Sequence, residues 1–352
     1  MLQYFQEFVI QNIVHPLVME SRGNAIHLLP PASLPKAEAG PSADGPGERL
    51  AWLNGSVCLH LDISFMMVWA LLLFSSHGFA QTPRPICRLL ISTQKIYPGS
   101  VFLAEARCTE SITSATGSFC QRRLIFFPGK KKTVSYAFAG VDLETKPEKY
   151  RLEARAELEG TGLVELQKSV RVFPKQFPIQ KITVAEKYAK PNPADQKRAE
   201  EETKRLETIW KTASTSRYWD GKFTVPLVSE LTSGFGRRRV VNGESRSPHS
   251  GVDLKADTGT PIRATNRGKV VVAEDLFFSG NTVVIDHGFG LYTFYGHCSK
   301  ILVQVNEMVN PGQVIAEVGA TGRVTGPHLH WACRLNEARV NPLDLLSLET
   351  ID

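Results

Sequence analysis

From Gly221 to about Leu346, glycine appears almost everywhere a short apolar run stops, and that punctuation leaves little room for helix. Lys269-Val-Val-Val-Ala273, Asn281-Thr-Val-Val-Ile-Asp286, Leu291-Tyr-Thr-Phe-Tyr295, Gln313-Val-Ile-Ala-Glu-Val318 and Leu329-His-Trp-Ala-Cys-Arg334 read as strands. Gly259, Gly268, Gly280, Gly288, Gly290, Gly312, Gly319 and Gly322 mark the turns between them. Glycine is the residue that enters positive-φ turns without steric cost, and it weakens the interior of a helix. The expectation is an all-β domain over residues 221–348 with no convincing helix.

A second β-rich stretch, residues 85–175, precedes it. Strand candidates are Ile86–Ser92, Val101–Cys108, Leu124–Phe127, Thr133–Phe138, Tyr150–Leu158 and Val164–Val172. In the fifth, Leu152, Ala154, Ala156 and Leu158 alternate with Arg151, Glu153, Arg155 and Glu157, the pattern of a sheet with one wet face. Regular short strands between turn signals such as Pro98-Gly99 and Pro128-Gly129 suggest a small β-sandwich of immunoglobulin-like type. Lys130-Lys-Lys132 reads as a solvated turn. Residues 176–220 read as a proline-marked linker and a helix. Asn192 can cap that helix and Pro193 suits its first turn. Ala199, Leu206, Trp210 and Ala213 share its apolar face, and Glu200–Lys204, Glu201–Arg205 and Glu207–Lys211 are spaced as supporting pairs.

Residues 1–65 are expected to be a flexible leader, with the Pro, Gly, Ala and Ser tract Leu28–Gly47 at its centre. Met66–Phe74 is an apolar run too short to span a bilayer and of the length of a signal-peptide core. Gly78 and Ala80 suit cleavage before Gln81, so residues 66–80 read as a signal peptide. Its position inside the chain suggests that translation starts at Met66 or Met67, with residues 1–65 a mis-called upstream extension. The expected location is therefore secreted, in the periplasm or outside the cell.

Six cysteines include no CxxC pair, which argues against a cysteine-built zinc site. Cys108 and Cys120 can bridge if they fall on neighbouring strands, leaving Cys87 over; small buried thiols are as good a reading for all six. A net charge of +6 points only weakly to an anionic partner such as a wall polymer, and no nucleic-acid partner is expected.

Four of nine histidines fall in the glycine-punctuated domain at suggestive spacings. His249 and Asp253 lie four apart, which in an extended segment places both on one face. His328 and His330 lie two apart on an expected strand and share a face, so one can bind a metal while the other stands beside the water. His297 follows Gly296 at the end of a strand. Imidazole and carboxylate suit zinc, which lowers the pKa of a bound water to about 7. A neighbouring imidazole is a fitting base at that pH. His287 is the spare and reads as structural.

His249-x-x-x-Asp253 with His328-x-His330 resembles the M23 family of zinc metallopeptidases, the LytM or lysostaphin type. Ser233-Gly-Phe-Gly236, Gly251-Val-Asp-Leu254, Gly259-Thr-Pro-Ile-Arg-Ala264, Tyr295-Gly-His297 and Gly319–His330 are similar to further family segments, in the family's order, over about the last 130 residues. The resemblance implies an antiparallel, lysostaphin-like β-sheet groove. It implies Zn2+ held by His249, Asp253 and His330, with His328 as general base for the water and His297 supporting the transition state. It also implies peptidoglycan as substrate, cut in its stem peptides or cross-bridges. Cys298 stands where the family commonly has Leu, and Asn306 stands where a Gly is expected in a turn. Cys298 and Cys333 alternate away from the histidines and should not bind metal. Two other readings compete: a non-hydrolytic M23-type scaffold or activator of other wall hydrolases, and a zinc peptidase acting on a protein.

Overall fold

Two four-stranded antiparallel sheets face each other at the start of the described chain. The computed structural model describes residues 84–348, apart from 184–185 and 187–189. The expected leader and signal segment lie outside these residues. The first sheet contains β1 (Cys87–Ile91), β2 (Val101–Cys108), β5 (Phe127–Pro128) and β6 (Val134–Gly140), in the order β1-β2-β6-β5. The second contains β3 (Ile112–Phe119), β4 (Arg122–Ile125), β7 (Lys149–Leu158) and β8 (Gly162–Arg171), in the order β4-β3-β7-β8. Phe102, Ala104 and Ala106 from one sheet and Phe119, Leu124, Leu152 and Ala154 from the other form one core. β7 alternates as its sequence predicts, with Leu152, Ala154, Ala156 and Leu158 buried. β3 was not among the expected strands. Its Ser, Thr and Gly residues carry little apolar alternation, and pairing with β4 and β7 makes it a strand.

The cysteine pairing differs from expectation. Cys87 and Cys108 stand directly opposite in the β1–β2 register and form a disulfide, while Cys120 is a free thiol. Their Cα atoms are 4.1 Å apart, the close approach of facing residues on antiparallel strands. Cys120 sits instead in the β3–β4 turn at φ 49°, away from that register.

The linker contains a strand that its prolines obscured. β9 (Ile179–Ile182) pairs in parallel with β11 (Arg238–Val241), which also pairs with β12 (Glu244–Arg246). Helix α1 (Pro193–Lys211) begins as predicted, with the Asn192 side chain accepting from Asp195 N at 2.9 Å. Ala199 and Trp210 are buried, and Trp210 packs on Tyr292 with ring centroids 5.2 Å apart. The ion pairs are not those expected. Lys197–Glu201 and Arg198–Glu202 form within the helix, whereas Arg205 turns outward to Glu274 at 2.8 Å. Tertiary contact with the neighbouring strand overrides the local spacing.

The C-terminal sheet holds β10 (Leu231–Ser233), β13 (Gly251–Lys255), β15 (Gly268–Leu276), β16 (Gly280–Gly288), β17 (Leu291–Ile301), β18 (Met308–Val309) and β20 (His328–Leu335). They run in the order β10-β13-β20-β17-β16-β15-β18. β14 (Pro261–Arg263), β19 (Val314–Val318) and β21 (Ala338–Val340) join off this path. All its pairings are antiparallel. Leu254, Ile262, Ile285, Tyr295, Leu329 and Trp331 fill its core. A 3-10 helix, Pro342–Ser347, follows; its Asn341-Pro start caps it as a helix although the stretch is short. Asn306 takes φ 75°, the left-handed turn that asparagine tolerates.

The described residues from Pro85 onward pack as one compact unit. Val101, Phe127 and Phe138 of the sandwich share a core with Trp219, Phe289, Leu335 and Val340. Polar groups frame this contact. Arg339 donates to Asp142 from its backbone N at 2.9 Å, from Nε at 3.0 Å and from Nη2 at 2.6 Å. Val101 N donates to Asp344 Oδ2 at 3.1 Å. Burial pushes the pKa of Asp142 up, but the Arg339 bonds and the Glu144 backbone N–H outweigh it and hold the carboxyl at about 2. Its contribution is fully present above the ordinary carboxylate pKa and is lost as pH falls through about 2. In urea titrations between pH 5 and pH 2, the wild type should lose about 2 kcal/mol of stability that Asp142→Asn does not lose.

Candidate metal centre and active site

The centre forms because β13 and β20 are neighbours. In their register Asp253 faces His330 and Lys255 faces His328. Gly251 lets the two strands close: a Cβ there would meet His330 Cε1 at 2.8 Å and the Trp331 carbonyl at 2.5 Å. His249 comes in from the segment before β13. His249 N donates to the Arg237 carbonyl at 2.9 Å, and the His249 carbonyl accepts from Gly236 N at 2.8 Å.

Three atoms converge. His249 Nε2 lies 3.0 Å from His330 Nδ1 and 2.9 Å from Asp253 Oδ1, and His330 Nδ1 lies 2.8 Å from the same oxygen. Among the described residues, His249, Asp253 and His330 are the group able to hold a metal. The tautomer of His249 is set by its other nitrogen. Nδ1 faces the Gly234 carbonyl at 3.1 Å, which can only accept, so Nδ1 carries the proton and Nε2 is a bare lone pair. Burial drives the His249 pKa down to about 4, against the pull of Asp253. A neutral lone pair facing a carboxylate oxygen is unfavourable unless a cation sits between them. A tetrahedral ion with bonds of about 2.0–2.1 Å needs donor atoms roughly 3.3 Å apart, so this slightly tighter triangle fits such an ion. Burial would raise the pKa of Asp253, but the adjoining His249 and His330 imidazoles hold it well below the usual carboxylate range, ready as an anionic ligand.

Two more histidines adjoin the triangle. His328 donates from Nδ1 to the Gly326 carbonyl at 2.8 Å, and its Nε2 is 3.8 Å from Asp253 Oδ1. His297 donates from Nδ1 to the Thr321 carbonyl at 2.9 Å. Both therefore present Nε2 as the free nitrogen, and their ring centroids are 4.9 Å apart. His297 was expected at the end of a strand. It lies instead inside β17, at a break in register with β16, with φ 67°. A non-glycine residue in this conformation costs of order 1–3 kcal/mol, and such outliers gather at functional sites. Burial, then the neighbouring His330 and His328, push its pKa down to about 3.

The remaining sequence assignments are simple to place. His287 is a satisfied core histidine, with Nδ1 2.8 Å from the Arg267 carbonyl and Nε2 2.7 Å from Thr293 Oγ1. Cys298 and Cys333 are buried free thiols. Sequence reasoning gave no role to several groups around the centre. Arg239 places Nη2 3.4 Å from Asp253 Oδ2. Ser233 Oγ lies 3.2 Å from His249 Nδ1 and donates to Gln180 Oε1 at 3.2 Å, so the linker reaches the histidine through one hydroxyl. The only signal for Arg239 was its place in the run Arg237-Arg-Arg239, which carries no face information by itself.

A metal site of two imidazoles and a carboxylate on an antiparallel sheet, with two spare imidazoles beside it, is the arrangement of a metallopeptidase. Residues 247–342 match Peptidase family M23. A solved structure of a Pseudomonas aeruginosa protein assigned to peptidase M23 is 32% identical, with a TM-score of 0.56, over 72% of this chain and 95% of that one. The chain belongs to peptidase family M23. The peptidoglycan DD-endopeptidase ShyB of Vibrio cholerae is 40% identical over 122 residues, 34% of this chain and 28% of ShyB. The DD-carboxypeptidase/endopeptidase Mpg of Neisseria meningitidis is 39% identical over 127 residues, 36% of this chain and 29% of Mpg. The match thus covers less than a third of either relative's length.

If the triangle holds the metal, Asp253→Ala should weaken divalent-metal affinity by about 100-fold or more in chelator competition. His328→Ala should leave metal stoichiometry unchanged.

Proposed function

We propose that this chain is a zinc-dependent endopeptidase that hydrolyses peptide bonds in the stems or cross-bridges of peptidoglycan. The observation that carries this reading is the complete set of five groups: His249, Asp253 and His330 as the metal-binding triangle, with His328 and His297 each offering a free Nε2 beside it. The similarity to ShyB and Mpg supports peptidoglycan as the substrate. Zinc suits two nitrogens and one oxygen at this spacing. When bound, it supplies Lewis acidity, polarising the carbonyl and acidifying a water.

The chain's own residues divide the rest of the work. His328 takes the water's proton at Nε2; its Nδ1 proton is already committed to Gly326, which fixes the ring and its tautomer. His297 is held the same way by Thr321. As a neutral ring, His297 accepts at Nε2 and helps orient the water. Its transition-state role as a donor begins only once a proton reaches that nitrogen. Arg239 holds the outer oxygen of Asp253, leaving Oδ1 for the triangle. The signal-peptide reading of residues 66–80 supports a location outside the cytoplasm, where peptidoglycan lies.

The scaffold reading loses support because such a domain has no use for two free imidazoles beside an intact triangle. Purified full chain should release soluble peptide fragments from sacculi, and a chelator should stop the release. His328→Ala should cut kcat by roughly 100- to 10,000-fold with the metal retained. Equal activity in His328→Ala and wild type would sink the assignment. Analysis of the released fragments identifies the bond cut.

A further inference from the structure

The bulge that carries His297 leaves a gap in the β16–β17 ladder. Asn281 faces Cys298 and Val283 faces Tyr295, so two steps along β16 match three along β17. The extra residue falls in the stretch Gly296-His297, where His297 takes φ 67°. His297 N is satisfied away from the ladder, donating to the Ser279 carbonyl at 2.7 Å.

Thr321 fills the gap. It lies on the loop between β19 and β20. Asn281 N donates to Thr321 Oγ1 at 3.0 Å, and that hydroxyl donates to the Cys298 carbonyl at 2.8 Å. Asn281 and Cys298 are the facing pair at the edge of the bulge, so one side chain from a third element stands between them. A hydroxyl suits this place because it accepts and donates at a single atom. The Thr321 carbonyl accepts from His297 Nδ1 at 2.9 Å. One residue therefore grips both strands at the bulge and also the ring that the bulge presents.

The surroundings leave Thr321 little freedom. Gly280 takes φ 61°, and a Cβ there would collide with the Thr321 hydroxyl. A Cβ on Gly322 would collide in turn with Gly280 N, so the loop lies backbone to backbone on the start of β16. Before Thr321, Ser299 Oγ donates to the Val318 carbonyl at 2.9 Å. After it, Arg323 N donates to the Phe278 carbonyl at 2.8 Å, and the Arg323 guanidinium lies 4.4 Å from the centre of the Phe278 ring.

We propose that Thr321 is a positioning residue for His297: its hydroxyl wedges the β16–β17 ladder open at the bulge, and its carbonyl sets the plane and tautomer of the ring. This role rests on the peptidase reading above and deepens it. Without the hydroxyl, Asn281 N and the Cys298 carbonyl lose their shared partner, and the cheapest repair is for the strands to close on each other. The loop then shifts, Nδ1 of His297 loses its acceptor, and the proton is free to move to Nε2, the nitrogen that faces the water.

The test uses zinc-loaded full chain and a cross-linked stem-peptide dimer. Imidazole nitrogen NMR, with the His297 signal assigned by its loss in His297→Ala, should show the neutral Nδ1–H tautomer in the wild type. Thr321→Val, which keeps the shape and loses the hydroxyl, should mix in the Nε2–H tautomer and lower kcat by about 10- to 100-fold with KM little changed. Thr321→Ser should keep the wild-type tautomer and most of the kcat. In a His297→Ala background, Thr321→Val should slow the enzyme little further, because the two residues act as one unit. Thr321→Ala takes the place of the valine variant if that one does not fold. A wild-type His297 in the Nε2–H form overturns the proposal. So does a Thr321→Val enzyme with wild-type kcat and tautomer, a Thr321→Ser enzyme as slow as Thr321→Val, or a Thr321→Val cost that persists in full without His297. An inactive wild type overturns the peptidase reading, and the tautomer, read without turnover, decides the role of Thr321 by itself.

Discussion

Everything at the centre depends on the facing pair Asp253 and His330, on neighbouring antiparallel strands. Their contact at 2.8 Å sets where the metal triangle lies. A carboxylate at this depth persists only with partners, since an isolated buried charge is costly. Here the partners are two imidazoles and one guanidinium. Each is placed by backbone contacts: His249 through Gly234 and Arg237, His330 through the β13–β20 ladder, and Arg239 through its pairing with β9 and β12. The charge distribution is therefore built before any metal arrives.

The same region explains why the sandwich and the peptidase module are packed together. β20 carries the histidines at its start and interface side chains at its end. β21 after it presents Arg339 to Asp142, and the following 3-10 helix presents Asp344 to Val101. The sandwich therefore braces the far ends of the elements that carry the site. The similarity to the Pseudomonas aeruginosa protein extends over 72% of this chain, so it is not confined to residues 247–342.

How legible was this in the sequence? The spacings His249–Asp253 and His328–His330 carried the site, because period-two alternation makes same-face geometry readable without coordinates. The strands of the C-terminal sheet were legible for the same reason, bounded by glycines. What was hidden depended on contacts between distant segments. β9 gained its identity only from β11. Arg205 chose Glu274 over its helical neighbour. Cys87 met Cys108 because a strand register that no pattern announces put them face to face. His297 looked like the end of a strand because a bulge, unlike a turn, leaves no mark in composition.

β20 sorts its side chains with strict alternation. Leu329 and Trp331 enter the peptidase core, and Cys333 and Leu335 enter the core shared with the sandwich. His328 and His330 point the other way, and Arg334 on that side lies 5.8 Å from the Trp210 ring centre. A slip of one residue would invert all of these at once. It would bury two imidazoles, expose a tryptophan and undo the seam with the sandwich in a single step. The strand thus works as a built-in proofreading device: a chain that has folded at all has, by that fact, assembled its chemistry in the right register.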